Sequence, residues 1–307
     1  MAGNVRKGGA LTPFTVPKWS RPSRAALQLE NWAECFDEDN VTRVVAVTNQ
    51  KGGVAKTTTV ASLGAALGEL EQRVLLVDLD PQACLTFSLG VDPEDLELTI
   101  TEVLGGPAVA SDALLRLTPA VDLLPSDIDL TGTVLGSDGT LRDALRRIVR
   151  GYDWVLLDAP PSLGTLTINA LVAAQEVLVP LQCETLSHRG LGQLLDTLHD
   201  IRTTTNRRLR MLGVLPTMFD GRTTHARLVL DDVATRYRLP ILQPAIPRSV
   251  RFAEAPSLGR TVLQTARRSR GAQAYRDLAR GLLDGTAREA QTGDDREARS
   301  AYPHGRH

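Results

Sequence analysis

Short apolar runs recur along the middle of the chain, each followed by a polar turn and then by a stretch with helical spacing. The runs are Val44–Thr48, Val74–Asp78, Val121–Leu124, Val155–Asp158, Glu176–Pro180 and Leu212–Pro216, with a short segment at Pro240–Leu242. Between them the spacing predicts helices over Thr57–Glu69, Leu141–Arg150, Thr165–Ala173, Gly190–Thr203 and Arg227–Tyr237. Such alternation predicts an α/β fold, a doubly wound, mostly parallel sheet with helices on both faces. Tyr275, Leu278, Ala279, Leu282 and Leu283 form a helical stripe expected to pack on the core. The folded domain is expected over residues 43–284. Before it, residues 1–42 read as a flexible arm, basic early and acidic at Glu34–Asp39, with one short helix around Arg24–Cys35. Residues 285–307 are polar and without a stripe, which predicts a disordered tail.

Composition narrows the class. The 307 residues are 42% hydrophobic, enough for a sizeable core, and no run approaches a membrane span of roughly 18 to 20 apolar residues. The N-terminus lacks the apolar stretch of a secretory signal, so a cytoplasmic protein is expected. Cys35, Cys84 and Cys183 are odd in number and widely spaced, which suggests neither a disulfide framework nor a zinc site. A net charge of −1 hides an asymmetry: residues 199–270 carry fourteen arginines against five acids, leaving the remainder at −10. That balance suits a local polyanion site.

The most informative segment is Asn49-Gln-Lys-Gly-Gly-Val-Ala-Lys-Thr-Thr-Thr59, between an apolar run and a predicted helix. Only four of the 35 basic residues are lysines, and two of them, Lys51 and Lys56, fall here. A compact ammonium enters a tight phosphate cradle where a planar guanidinium fits poorly. Strand, Gly-rich turn and helix N-terminus aim backbone N–H groups at one spot, as triphosphate oxygens require. In this reading Gly52, Gly53, Val54 and Ala55 form the cradle, Lys56 sits on the β/γ-phosphates and Thr57 ligates magnesium. The ordinary G-x-x-x-x-G-K-[ST] pattern fails, because Gln50 and Ala55 occupy its glycine positions. What fits is the deviant Lys-Gly-Gly-x-x-Lys-Thr, with Lys51 as an added cation.

Two further runs end in acids. Val74–Asp78 leads into Asp78-Leu-Asp80-Pro-Gln82, whose two carboxylates lie at the carboxyl end of a strand, where one could orient a water for attack on a γ-phosphate. Trp154-Val-Leu-Leu-Asp158 matches a Walker B strand, its carboxylate reaching magnesium through water.

With Ser162–Ala170, Met218–Thr223 and Ile246–Ser257, these motifs resemble the ParA/Soj family of partition ATPases over roughly residues 43–284. The resemblance implies a homodimer sandwiching ATP and magnesium, which binds double-stranded DNA without sequence preference. Hydrolysis stimulated by a ParB-type partner resets it. It implies a nucleoid-associated protein, and because residues 285–307 offer no apolar face with basic flanks, no membrane attachment is expected. By position, Lys51 resembles the signature lysine that crosses the dimer interface, and Lys56, Thr57 and Thr58 the phosphate and magnesium contacts. Asp80 matches the catalytic acid, Asp158 the Walker B acid, and Met218 and Pro247 the segments flanking adenine. Arg222 stands where the family uses an arginine for DNA, and Arg202, Arg251, Arg267, Arg268 and Arg270 complete the expected DNA set.

Two departures are visible. Ala55 replaces a usual glycine, which costs about 1 kcal/mol or more if the site needs positive φ. Ala83-Cys84 stands where Gly-Asn is common. Three other readings stay open: an ATPase positioning a protein cargo, a metal- or redox-linked ATPase of the nitrogenase iron protein type, and a binding module whose ATPase is dead through Ala55, against which the intact lysines and acids argue.

Overall fold

The computed structural model describes residues 42–106, 108–183 and 187–287. The arm expected over 1–42, apart from Thr42, lies outside the described residues. So does the tail expected over 285–307, apart from its first three residues. Ala287 among these three is buried, and its carbonyl accepts from Gln243 N at 2.8 Å.

Strand β1 (Arg43–Val47) runs through a loop into helix α1 (Lys56–Glu69) and strand β2 (Val74–Asp78). Short helices α2 (Cys84–Ser88) and α3 (Ile100–Gly105) precede strands β3 (Leu115–Arg116) and β4 (Val121–Leu124). Then come α4 (Thr140–Leu145), β5 (Trp154–Asp158), α5 (Thr165–Ala173) and β6 (Glu176–Gln182). They are followed by α6 (Ser187–Thr204), β7 (Arg210–Thr217) and α7 (Thr224–Tyr237). Helices α8 (Arg251–Glu254), α9 (Val262–Thr265) and α10 (Arg270–Leu283) close the described chain. The strand order is β3-β4-β2-β5-β1-β6-β7, parallel except for the β3–β4 pair, as the doubly wound expectation requires.

The central strands are buried on both faces, which explains their unbroken apolar runs. Successive side chains alternate between two cores. Val44, Ala46, Val155 and Leu157 pack with Ala170, Leu171 and Leu194 of α5 and α6. Val45, Val47, Trp154 and Leu156 pack with Val60, Leu63 and Leu67 of α1 and with Tyr275 and Leu278 of α10. Each fully buried Leu or Val contributes roughly 1.5–3 kcal/mol, so the sheet is held from both sides. Parallel register sets Asp158 level with both Val47 and Asp78, so the carboxyl ends of β1, β2 and β5 form one rim.

Several boundaries differ from the sequence expectation. The helix expected over Leu141–Arg150 stops at Leu145. The Thr42 hydroxyl donates to the carbonyls of Val149 (3.0 Å) and Tyr152 (2.8 Å), holding the chain in a short turn at Val149–Gly151. Pro240–Leu242 makes a single bridge, Ile241 to Val214, because Pro240 and Pro244 have no N–H to continue a ladder. That segment still covers the outer edge of β7: Val214 N donates to Pro240 O, Leu242 N to Val214 O and Ile246 N to Pro216 O, each at 2.8 Å. In the expected stripe Tyr275, Leu278, Ala279 and Leu282 are buried, whereas Leu283 is 40% exposed, a step round the helix from its neighbour. Elements α2, α3 and β3 have five, six and two residues, too short for periodicity to reveal.

Candidate active site

The loop between β1 and α1 is tied down on both sides. Asn49 Nδ2 donates to Pro180 O (2.7 Å), while its Oδ1 accepts from Lys51 N (3.0 Å). On the far side, the Thr217 hydroxyl at the end of β7 donates to Val54 O (3.0 Å). Between these anchors Gly53 and Ala55 both take left-handed backbone, with φ of 74° and 68°. The loop therefore curls back, and Lys56 Nζ donates to Lys51 O at 3.3 Å. Ala55 thus meets the costly branch of the sequence reading, about 1–2 kcal/mol of local strain for a residue with a Cβ. No side chain caps the α1 N-terminus and no acid lies in its first turn, so backbone donors and dipole remain directed into the curl.

Three carboxylates lie on the adjoining rim. Asp78 is fully buried, and its oxygens accept from Asp80 N (3.1 Å), Thr86 N (2.9 Å) and the Thr86 hydroxyl (2.8 Å). Burial pushes its carboxyl up to about 6, against the opposing pull of these donors. Asp158 is 1% exposed, and neither of its oxygens has a hydrogen-bond partner. Burial, and then the charge of Asp78, push it well above the usual carboxylate range. The Thr57 hydroxyl and Lys56 ammonium pull it back, Thr57 from short of hydrogen-bond geometry. Asp80 is half-buried, and its Oδ1 accepts from Gln82 N at 3.0 Å. Lys56, 8% exposed, is lowered by burial and raised by Asp158 and Asp80.

A cleft of about 780 Å³ opens over this rim. Gly52, Gly53, Ala55, Lys56, Thr57, Thr58 and Asp80 line one side, and Met218 and Pro247 the other. Lys51, half-buried, and Val54, buried, are not among the lining residues. The Met218 wall is joined to the Pro247 segment by Phe219 N donating to Ile246 O (2.9 Å). Sequence reasoning did not assign Cys84, Arg248, Phe252 or Tyr275 to the cleft, yet all line it. Tyr275 was legible only as a member of the core stripe. Its hydroxyl shares a hydrogen bond with Thr59 (3.0 Å), and Phe252 meets its ring edge-on at 5.9 Å. The second departure also falls on a strained turn: Ala83 has φ 49° immediately before exposed Cys84.

The arginines of the basic stretch do not share one surface. Arg222 follows the carboxyl end of β7, and Arg251 opens α8, where it pairs with Glu254 at 2.8 Å; both are exposed at the cleft end of the sheet. Arg267, Arg268 and Arg270 are exposed around the N-terminus of α10. Arg202 lies in the last turn of α6, near Arg207, Arg208 and Arg210 at the opposite, amino end of β7.

The curled loop thus brings a buried lysine beside a carboxylate without a hydrogen-bond partner, and likeness to known proteins places the chain in a family. A family model described as an AAA domain matches residues 42–211. Chromosome-partitioning ATPase Soj of Thermus thermophilus is 46% identical over 244 residues, covering 78% of this chain and 95% of its own. The chain belongs to the ParA/Soj family of partition ATPases. Sporulation initiation inhibitor protein Soj of Bacillus subtilis is 41% identical over 245 residues, 78% of this chain and 97% of that one. Among solved structures, one from Mycobacterium smegmatis is 53% identical with a TM-score of 0.70, covering 79% of this chain and 95% of that one. It is described as cobyrinic acid a,c-diamide synthase with bound ATP analogue and magnesium. Among the described residues no helix of this ParA/Soj-family chain is long and apolar enough to cross a membrane.

Proposed function

We propose that this chain is a magnesium-dependent ATPase of partitioning whose ATP-bound homodimer holds double-stranded DNA without sequence preference. The observation that carries the reading is Asp158, a buried carboxylate with no hydrogen-bond partner at the foot of the phosphate loop. A hard divalent cation with oxygen ligands suits that carboxylate and the Thr57 hydroxyl, directly or through water. Once bound, such a cation neutralises charge on the phosphate oxygens. Gly52, Gly53 and Ala55 present backbone to the triphosphate, Lys56 and Thr58 contact it, and Met218 and Pro247 flank the base. Asp80 orients the attacking water. Lys51, at the start of the loop, serves the ATP of a second copy, which makes nucleotide part of the interface. Arg222 and Arg251 at the cleft end are the nearer candidates for backbone phosphates, followed by Arg267, Arg268 and Arg270 around the N-terminus of α10. Hydrolysis, stimulated by a ParB-type partner, releases the DNA.

The test is binding of a non-specific duplex with ATP, ADP or no nucleotide, for the native chain, Lys51→Ala and Arg222→Ala. Binding that requires ATP, weakens with salt and fails in both variants is expected. Binding indifferent to nucleotide sinks the switch. A second reading follows the name of the M. smegmatis structure: ATP turnover that responds to cobyrinic acid and not to duplex would favour it.

A further inference from the structure

A second cleft, of about 480 Å³, lies at the amino ends of β6 and β7, across the sheet from the phosphate loop. Arg142 of α4, Gln175, and Arg207 and Arg208 ahead of β7 line it. Among the described residues no carboxylate pairs with Arg207 or Arg208, and both are exposed. Arg142 reaches only the mostly exposed Asp143 beside it in sequence. The cleft is thus strongly positive, and its polar floor is already committed. Asn206 Nδ2 donates to the carbonyls of Leu171, Val172 and Ala174, and Gln175 Oε1 accepts from Val44 N at 3.0 Å.

That last bond locates the incoming chain. Gln175 N also donates to Val44 O (2.9 Å), so Val44 is held on both sides by a residue of the cleft wall. Thr42, two residues earlier, is pinned to Val149 and Tyr152 at the same end of the sheet. Thr42, the first described residue, therefore stands at the same end of the sheet as the cleft. Glu34, Asp37, Glu38 and Asp39 stand three to eight residues upstream. At roughly 3.3–3.6 Å per residue an extended chain gives them a reach of about 10 to 28 Å from Thr42. We propose that the acidic segment Glu34–Asp39 of the same chain docks in the Arg142–Arg207–Arg208 cleft. The tether keeps its local concentration high, so modest charge pairing is enough. The proposal does not rest on the nucleotide reading, since no residue of the phosphate loop lines this cleft.

Hydrogen exchange of the full chain, read by mass spectrometry on peptides covering residues 34–39, tests it. Arg207→Glu with Arg208→Glu is expected to speed exchange there by about tenfold or more, leaving β1 and β7 peptides unchanged. Reversing Glu34, Asp37, Glu38 and Asp39 to lysine in that same chain is expected to restore slow exchange. Salt near 0.5 M is expected to mimic the arginine variant. Equal exchange in the native and arginine-reversed chains overturns the proposal. So does loss of non-specific duplex binding on arginine reversal without any change over 34–39, which would assign the cleft to nucleic acid.

Discussion

Strands β2 and β5 lie side by side in register, and each ends in a buried aspartate, yet the two carboxylates live in opposite circumstances. Asp78 accepts three hydrogen bonds, two of them from Thr86, where α2 folds back over the strand end. The Thr86 hydroxyl in turn accepts from Ser126 N (3.0 Å), stitching β2 to the turn after β4. Asp158 has no such partner. A buried carboxylate without partners costs several kcal/mol and survives only where a ligand or a function demands it. The same residue at the same height of the sheet is thus a fastener in one strand and an open ligand in the next.

The largest effect that could break this comparison is on turnover. Asp158→Asn is expected to lower magnesium-dependent ATP hydrolysis by about 100-fold or more. The same change is expected to raise the thermal midpoint of the nucleotide-free protein, because it removes a buried carboxylate whose oxygens have no hydrogen-bond partner. A fall in that midpoint would show that Asp158 is structural after all. Next in size, Asp78→Asn places an amide NH₂ against donors that need an acceptor, at a cost of about 1–3 kcal/mol in urea unfolding. Hydrolysis per folded molecule is expected to stay within several-fold of native, the reverse of the Asp158 pattern.

A pH series sharpens the contrast. Both carboxyls are raised, so the folded state holds their protons more tightly than the unfolded chain. Stability from these groups is therefore present at low pH and lost as pH rises from near 4 through about 6 for Asp78. The advantage of Asp158→Asn over native should vanish near the lower limit and grow with pH, measured as unfolding free energy of nucleotide-free protein. The smallest effects concern the two left-handed alanines that border these acids. Ala55→Gly and Ala83→Gly relieve strain but free the unfolded chain, for a net gain under about 1 kcal/mol each. Ala55→Gly is expected to tighten nucleotide binding as well, read by calorimetry, and Ala83→Gly to leave it unchanged.

Which of these features were legible beforehand follows from how local their causes are. The strands of the central sheet announce themselves because burial on both faces forces unbroken apolar runs. The phosphate loop does so because its backbone path needs a particular set of small and basic residues. The division of labour between Asp78 and Asp158 was not legible, since both simply end an apolar run in Asp. Thr86, eight residues downstream of Asp78, decides it. Position 55 was readable as a question, with the sign of φ left to the fold. The basic stretch looked like one patch because fourteen arginines fall within 72 residues, but β7 carries its two ends to opposite rims. Tyr275 entered the cleft from α10, whose spacing spoke only of core, and Phe252 from the four-residue α8, too short for spacing to reveal.

The strip from Pro240 to Ile246 that occupies the outer flank of β7 has a consequence for growth of the sheet. An exposed edge strand is a template on which a neighbouring molecule can continue the hydrogen-bond ladder. Here the outward groups of Val214 and Pro216 are already taken up from within, and the two prolines of the covering strip have no N–H to extend a ladder. At the opposite edge, β3 is only two residues long. Copies of this chain that meet along the β7 flank therefore find it closed to fibre-like stacking. Loosening the strip by Ile241→Asp should reveal that closure as concentration-dependent light scattering.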